Sequence, residues 1–414
     1  MNLFKIKNHV SFENWYTIQT FLSRILTFGI GLLFKIVLAR ILTVEENGIF
    51  GKWLAIFNYG IIAFSFGLNL SMIYFAKKGQ AIINNFLGNV LSYSILLFIG
   101  LLVLAFFPNK AYYFSLCLAI FISLISSSLN GVQLSNNKIT LFNITELVRS
   151  IFIFILCLTS IYIFSYNKLE ILYISYTIAL LVTFVIFLFF IDFSKSNLKK
   201  IKLPNANYIK FGLKGTILNV LSQSLYIVDV FIVSYIAGPR YLGIYIVASS
   251  IARLLWFFVD AAGTVIFPRL VSSENESNSR SIIYKLSSFS FVISILGFLF
   301  FLLLGKQIIP LTFGVEYLEG FNTIIVLMLA SPGMIFFKLI NRFLAAQNEW
   351  IKSYIAISIS LLVNVLLHFY LISEYNLLGA AFASFISYWL CGFIIAKTSR
   401  FNVFSLMFTR NLLK

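Results

Sequence analysis

Charge is scarce in this chain. Asp, Glu, Lys and Arg together make up 11% of its 414 residues, against about 25% in an ordinary soluble domain. With 60% hydrophobic residues and a mean hydropathy of +0.96, a water-soluble globular domain is excluded. Acids are the scarcer sign, 14 Asp and Glu against 31 Lys and Arg. There are two histidines, His9 and His368, far apart, and three cysteines, Cys117, Cys157 and Cys391, all inside apolar runs. Neither set has the spacing of a metal or redox centre. The cysteines read as core filler, and His368 as a hydrogen-bonded interior residue. No phosphate-cradling G-x-x-x-x-G-K-[ST] loop occurs, so ATP hydrolysis by this chain is not expected. No enzymatic activity and no cofactor are expected. The opening segment "MNLFKIKNHVSFENWY" lacks a small-residue cleavage site and is expected to be retained.

What is present is a series of apolar runs. Crossing a ~30 Å hydrocarbon core takes roughly 17–25 residues. Twelve such runs occur, at 16–41, 47–75, 82–107, 111–134, 141–165, 170–191, 208–236, 241–268, 284–304, 322–345, 351–373 and 377–398. The net charge of +17 forms no soluble basic patch of the kind that binds nucleic acid. With a cytoplasmic N-terminus, nineteen basic residues fall in inner segments and five in outer ones, which fits the positive-inside rule with both termini cytoplasmic. The longest hydrophilic connection, Asp192 to Lys210, reads as a linker that also touches anionic headgroups. The predicted organisation is therefore all-α, with six helices in 1–191, a cytoplasmic linker at 192–207 and six helices in 208–414.

The halves echo each other. "ILTVEENGIF" from Ile41 is matched by "IAGPRYLGIY" from Ile236, "LSNNK" from Leu134 by "AAQNEW" from Ala345, and "YNKLEILYISY" from Tyr166 by "YNLLGAAFASF" from Tyr375. The offsets cluster near half the chain, which points to duplication. Six spans per half give a parallel repeat about an axis along the membrane normal, a design common among transporters.

Ionisable residues inside the runs cost about 2.5–3.5 kcal/mol each on insertion scales and usually face a bundle interior or a watery cavity. The basic ones are Arg24, Lys35, Lys52, Arg149, Lys214, Arg253 and Lys338, against Asp229, Asp260 and Glu146. Arg24, Lys52, Arg149 and Lys214 lie near span ends, where long side chains can snorkel to the headgroups. Arg253 lies deep, and Asp260, seven residues on, is expected on the same helical stripe. Arg24 and Lys35, eleven apart, are likewise expected to share a face. Ser222, Tyr226 and Asp229 recur at i, i+4 and i+7. Asp229 is open to two readings: a structural partner of Arg253 or another interhelical hydrogen bond, or a protonatable or cation-binding group. Catalysis on sugars outside the bilayer needs a large external loop, and the longest here runs only from about Gly305 to Phe321.

The stretches "LARILTVEENGIFGKW", "FGLNLSMIYFA", "IVDVFIVSYIAGPRYLGIYIVASSIA", "VIFPRL", "FGVEYLEG" and "NLLGAAFASFIS" occur in this order. Together they resemble polysaccharide biosynthesis flippases of the Wzx type, including O-antigen flippases, in the superfamily that also holds lipid II flippases and MATE exporters. The resemblance implies a MATE-like fold in a bacterial inner membrane, with a cationic cavity between two six-helix lobes. It also implies a cargo of undecaprenyl-pyrophosphate-linked oligosaccharide carried to the outer leaflet by alternating access. A polysaccharide polymerase and a chain-length regulator are implied partners, beside membrane lipids. Expected cationic contacts for the pyrophosphate are Arg253, Arg149, Lys35, Arg24, Lys338 and Lys214. Asp229 and Asp260 are expected to couple transport to an ion gradient. Asn219, Gln223, Tyr226 and Trp256 are expected to line the glycan path. The alternative is a MATE-type cation or drug antiporter, which favours an acidic cavity.

Overall fold

The structure is a computed structural model and describes residues 3–77, 82–104, 110–164, 167–191, 203–257, 259–260, 262–263, 270 and 275–408. The described residues are helical apart from short turns. The helices are α1 (Leu3–Ile41), α2 (Val44–Phe64), α3 (Leu68–Lys77), α4 (Ile82–Leu104), α5 (Lys110–Ser135), α6 (Ile139–Ile163), α7 (Lys168–Leu188), α8 (Ala206–Ser224), α9 (Val228–Ile236), α10 (Gly238–Ala252), α11 (Glu276–Thr312), α12 (Phe321–Ala346), α13 (Trp350–Thr398) and α14 (Val403–Met407). A 3-10 turn, Val315–Gly320, precedes α12.

Among the described residues nine helices are long and apolar enough to cross a membrane, or ten if α2 and α3, bent by 43° at their break, form one span. One of the nine is α13, whose 49 residues would reach ~74 Å at 1.5 Å per residue if straight. It is broken at Asn376, where φ is 49° and ψ −129°, so each part is comparable to one bilayer crossing. Large apolar side chains face outward along these helices, for example Leu311 at 82% and Leu303 at 76% exposed. Water would penalise such a surface, whereas hydrocarbon accepts it.

Local chemistry explains where the helices start and stop. In "LTVEEN", Thr43 Oγ1 accepts from the Glu46 amide at 3.2 Å and Glu46 Oε2 accepts from the Thr43 amide at 2.9 Å, a reciprocal capping box that starts α2. At the end of α5, Asn137 takes φ 57° and the Lys138 amide reaches back to the Gln133 carbonyl at 2.8 Å. At the end of α12, Asn348 takes φ 62° and the Glu349 amide reaches the Leu344 carbonyl at 2.8 Å. These matched motifs build the same left-handed stop, a conformation asparagine tolerates. Asn167 and Asn376, in the matched "YNKL" and "YNLL", also both have positive φ.

The chain divides into two compact units. One comprises Met1–Phe34 and Trp53–Val220, the other Lys35–Lys52 and Leu221–Lys414. In the first, α5 is held by polar side chains as well as by packing: Ser128 donates to Asn69 Oδ1 at 2.6 Å, Gln133 to Thr145 at 3.1 Å and Asn130 to Glu146 at 2.7 Å. Leu68, Met72, Phe86, Tyr93 and Leu129 form the apolar core beside them. Such bonds matter because lipid tails remove the hydrophobic drive between helices.

In the second unit α12 packs against α10, α11 and α13. Gly333 and Gly392 let α12 and α13 touch backbone to backbone, the Gly333 carbonyl lying where a side chain on Gly392 would stand. The hairpin 35–52 belongs to this unit. Arg40 closes it onto the end of α11, donating to the carbonyls of Pro310, Leu311 and Thr312 at 2.5–2.8 Å, and Asn47 donates to the Tyr317 hydroxyl at 3.0 Å. Gly48 and Gly243, the matched glycines of "ENGIF" and "YLGIY", face each other's segments: Gly48 abuts the Pro239 carbonyl and Gly243 abuts that of Val44.

Two helical expectations are corrected. The face Ser222–Tyr226–Asp229 is not continuous, because α8 ends at Ser224 and a turn separates it from α9. Arg253 likewise stands in a turn at the C-terminal cap of α10. Arg253 and Asp260 therefore do not share the stripe that one unbroken helix would give. Most of the expected linker, 192–202, lies outside the described residues.

Candidate functional site

The second unit gathers several of the expected residues. Arg253 Nη2 donates to the Tyr226 carbonyl at 2.5 Å, and its guanidinium lies 5.4 Å from the Tyr226 ring centre. The turn between α8 and α9 makes this possible, since it releases the Tyr226 carbonyl from helical bonding. Tyr226 packs edge to face on Trp256 at 5.9 Å, and Trp256 on Tyr388 at 5.5 Å. Gln223 bonds the Tyr226 hydroxyl. Lys35, from the hairpin, donates to Ser250 at 3.0 Å and lies within electrostatic reach of Arg253.

Lys338 on α12 meets Asp260 at 2.6 Å and stands 5.3 Å from the Trp256 ring and 5.8 Å from that of Tyr226. Arg342, one turn further along α12, meets the same carboxylate at 3.4 Å and also donates to the Val259 carbonyl at 2.5 Å. By sequence, Arg342 counted among the inner loop residues. Its spacing of four from Lys338 was the signal that both share a face. Arg253 and Lys338 thus flank the Tyr226–Trp256 pair, with Lys35 within electrostatic reach of Arg253 and with Arg342 sharing the Asp260 carboxylate.

Asp229 borders this cluster without pairing with its cations among the described residues. Only 1% exposed, it accepts from the Tyr245 hydroxyl at 2.7 Å and from the Val230 amide at 2.7 Å. Tyr245 in turn contacts Ser384 at 3.4 Å. Asp229 and Arg253 line the same small pocket, with Trp256 and Tyr388, yet they form no ion pair; the structural reading of Asp229 survives as its hydrogen bond to Tyr245. His368 is within electrostatic reach of Asp229. Its Nδ1 meets the Asn364 carbonyl at 2.8 Å, while its Nε2 and both side-chain polar atoms of Asn364 are buried with no hydrogen-bond partner among the described residues. The reading of His368 as a hydrogen-bonded interior residue fits its burial and its Nδ1 contact but said nothing of Nε2, whose surroundings are assembled by the packing of separate helices.

The remaining candidates lie in the first unit. Arg149 pairs with Glu146 at 3.0 Å, the same oxygen that accepts from Asn130. Arg24 lies over the Phe142 ring at 5.7 Å. Lys214 and Asn219 are exposed on α8. Arg24 and Lys35, although on one helix, belong to different units. No group of three or more His, Cys, Asp or Glu side chains suited to a metal ion occurs among the described residues.

Comparison with known proteins adds three observations. Residues 16–274 match the family described as polysaccharide biosynthesis protein. A "Probable low-salt glycan biosynthesis flippase Agl15" of Haloferax volcanii is 26% identical over 200 residues, 47% of this chain and 42% of that protein, so the match spans less than half of that relative's length. Two solved structures share the fold. An inward-facing multidrug resistance MATE family transporter of the MOP superfamily gives a TM-score of 0.74 at 15% identity, covering 95% of this chain and 99% of that one. Lipid II flippase MurJ in an inward closed conformation gives 0.74 at 17%, covering 95% and 89%. At these identities the likeness concerns the fold alone.

Proposed function

The chain belongs to the polysaccharide biosynthesis protein family, and from that premise we propose that it flips an isoprenoid-pyrophosphate-linked oligosaccharide from the cytoplasmic to the outer leaflet. It is a multi-span membrane transporter of the MOP type rather than an enzyme. The observation that carries the finer reading is Arg253 with Lys35: two cations among membrane-spanning helices, held by a carbonyl, a hydroxyl and an aromatic face, that make no ion pair among the described residues although Asp229 shares a small pocket with Arg253. Burying such charge without a counter-ion is costly. An anionic cargo supplies one, and a guanidinium offers bidentate geometry to its phosphates. Gln223, Tyr226 and Trp256 stand close by to meet the first sugars, while the lipid tail stays in the bilayer.

In this reading the chain makes twelve crossings in two duplicated halves with both ends cytoplasmic. The break at Asn376, the bent pair α2 and α3, and the matched asparagine stops support it. Asp229 is the coupling acid, because it is sealed against Tyr245 and lies within electrostatic reach of His368, whose Nε2 has no hydrogen-bond partner among the described residues. A proton or small cation entering there would change the bonding of three helices at once. The test is a deletion strain. The lipid-linked intermediate should accumulate on the cytoplasmic leaflet and surface polysaccharide should fall, with restoration by the wild-type chain but not by Arg253→Ala. Normal surface polysaccharide together with raised retention of a cationic dye would replace this reading by a drug exporter.

A further inference from the structure

Lys338 and Arg342 hold a single carboxylate in an unusual way. Each Asp260 oxygen meets a different cation, Oδ2 at 2.6 Å from Lys338 Nζ and Oδ1 at 3.4 Å from Arg342 Nη2, as two oxygens of a phosphate would. The cations are the built part: their side chains are 15% and 24% exposed, whereas that of Asp260 is 48% exposed. Each cation is also anchored independently of the carboxylate. Lys338 stands against the Tyr226 and Trp256 rings, and Arg342 donates to the Val259 carbonyl at 2.5 Å and the Asp260 carbonyl at 3.3 Å. Gly263 makes room for the guanidinium, since a Cβ there would overlap it. The charge does not balance either. Arg253 is within electrostatic reach of Lys338, so three positive groups stand near two carboxylates, the half-open Asp260 and the buried Asp229, which shares a small pocket with Arg253 but is already engaged by Tyr245. A purely structural pair needs neither the surplus charge nor the exposure of its acid.

We infer that Lys338 and Arg342 form a seat for a phosphate-class anion, and that Asp260 is an internal stand-in that fills the seat until such an anion displaces it. This rests on the reading of the cargo as pyrophosphate-linked and adds a second anion contact to Arg253. It also changes the role of Asp260 from ion coupling to competition with the cargo. The stand-in keeps the resting site from holding bare cations within the membrane, a state that costs several kcal/mol per ion, and any anion that fails to outcompete a tethered carboxylate is rejected.

The test uses the purified full chain in lipid nanodiscs with inorganic pyrophosphate as the probe, read by titration calorimetry. Asp260→Asn removes the competing charge while keeping the shape, and should tighten binding at least about tenfold, the scale of one charge-assisted contact. Asp260→Glu should stay within about threefold of the wild type, since the competing charge remains. Adding Lys338→Gln or Arg342→Gln to Asp260→Asn should abolish the gain. Unchanged affinity in Asp260→Asn, or a gain that survives loss of either cation, overturns the inference. Should Asp260→Asn not fold, Gly263→Ala displaces Arg342 with every charge retained and should weaken binding several-fold; no weakening there overturns the inference as well. These are binding measurements, so normal surface polysaccharide in the deletion strain would sink the flippase reading and leave this result standing.

Discussion

Gly48→Ala perturbs the hairpin at its closest approach to the rest of its unit. The new Cβ would stand 2.8 Å from the Gly243 amide nitrogen and closer still to the Pro239 carbonyl oxygen, whereas comfortable contact needs about 3.5–4.0 Å. Both obstacles are backbone, so neither can rotate away, and the segments must separate by about 1–1.5 Å to reach ordinary contact. Overpacking of this kind costs about 1–3 kcal/mol. Alanine also gains about 0.5–1 kcal/mol of helix propensity over glycine. Gly31→Ala isolates that gain, because nothing lies within 4 Å of its Cβ. The difference between the two variants is therefore the clash alone, about 1–3 kcal/mol. For a unit of this size that is a gap in melting temperature of about 2–12 °C, measured by fluorescence-detected size exclusion of heated, detergent-solubilised protein. The matched change Gly243→Ala drives a Cβ into the Val44 carbonyl and should behave alike. The double variant should cost less than the sum, since one separation relieves both clashes. Because the hairpin carries Lys35 to Ser250, Gly48→Ala should also lower transport by more than it lowers abundance. Equal melting of Gly48→Ala and Gly31→Ala, or strict additivity of the pair, would refute the packing argument.

Replacing Arg253 by Ala should abolish transport while membrane abundance stays near normal, and Lys should keep part of the activity; loss of abundance in both variants would assign Arg253 to packing instead. Asp229→Asn keeps the shape beside Tyr245 but removes the charge, so transport should lose its dependence on an imposed proton or sodium gradient, and unaltered dependence would leave Asp229 as a structural anchor. Single cysteines at Arg240 and Glu316 should react with an impermeant thiol reagent on intact cells, and those at Lys138 and Lys397 only after lysis; the reverse pattern would invert the orientation. Asn348→Val should cost about 1–2 kcal/mol, the penalty for a branched side chain in a left-handed turn, read as a lower melting temperature, whereas Asn348→Gly should be nearly neutral.

What the sequence could reveal followed the range of the physics involved. Apolar runs, capping signals and the asparagine stops are local, so "LTVEEN" announces its capping box and "LSNNK" and "AAQNEW" announce matching turns. The depth of Arg253 and Lys338 in apolar sequence is equally local. Facial periodicity failed where a helix breaks. Neither the turn after Ser224 nor that at Arg253 carries a proline or a run of glycines, so a face extrapolated across either of them had no warning. Partner choice was also hidden. The bonding of Asp229 to Tyr245, the joining of Arg342 to Asp260, and the unsatisfied atoms of Asn364 and His368 depend on how α9, α10, α12 and α13 cross. The resemblance to flippases named a cationic cavity but could not say which cations keep company.

The choice between a lipid-linked anion and a cationic drug as cargo turns on that company. Around Tyr226 and Trp256 stand Arg253 and Lys338, with Lys35 beside Arg253 and Arg342 on the same Asp260 carboxylate as Lys338, against two acids among the described residues, Asp260 and the buried Asp229. Two like unit charges 4–8 Å apart repel by about 2–4 kcal/mol at an effective dielectric of 20, so a monovalent cation entering this region meets several such penalties, with Asp260 the half-exposed acid that can offset them. The acid an exporter would offer it, Asp229, is 1% exposed and already engaged by Tyr245. A pyrophosphate meets the same field with the opposite sign, and the aromatic faces that steady the cations also offer surfaces for sugar rings. On the proposed reading, the charge pattern of the second unit favours an anionic headgroup over a cationic one. Removing its positive charges one at a time should weaken pyrophosphate binding in steps while never creating efflux of a cationic dye.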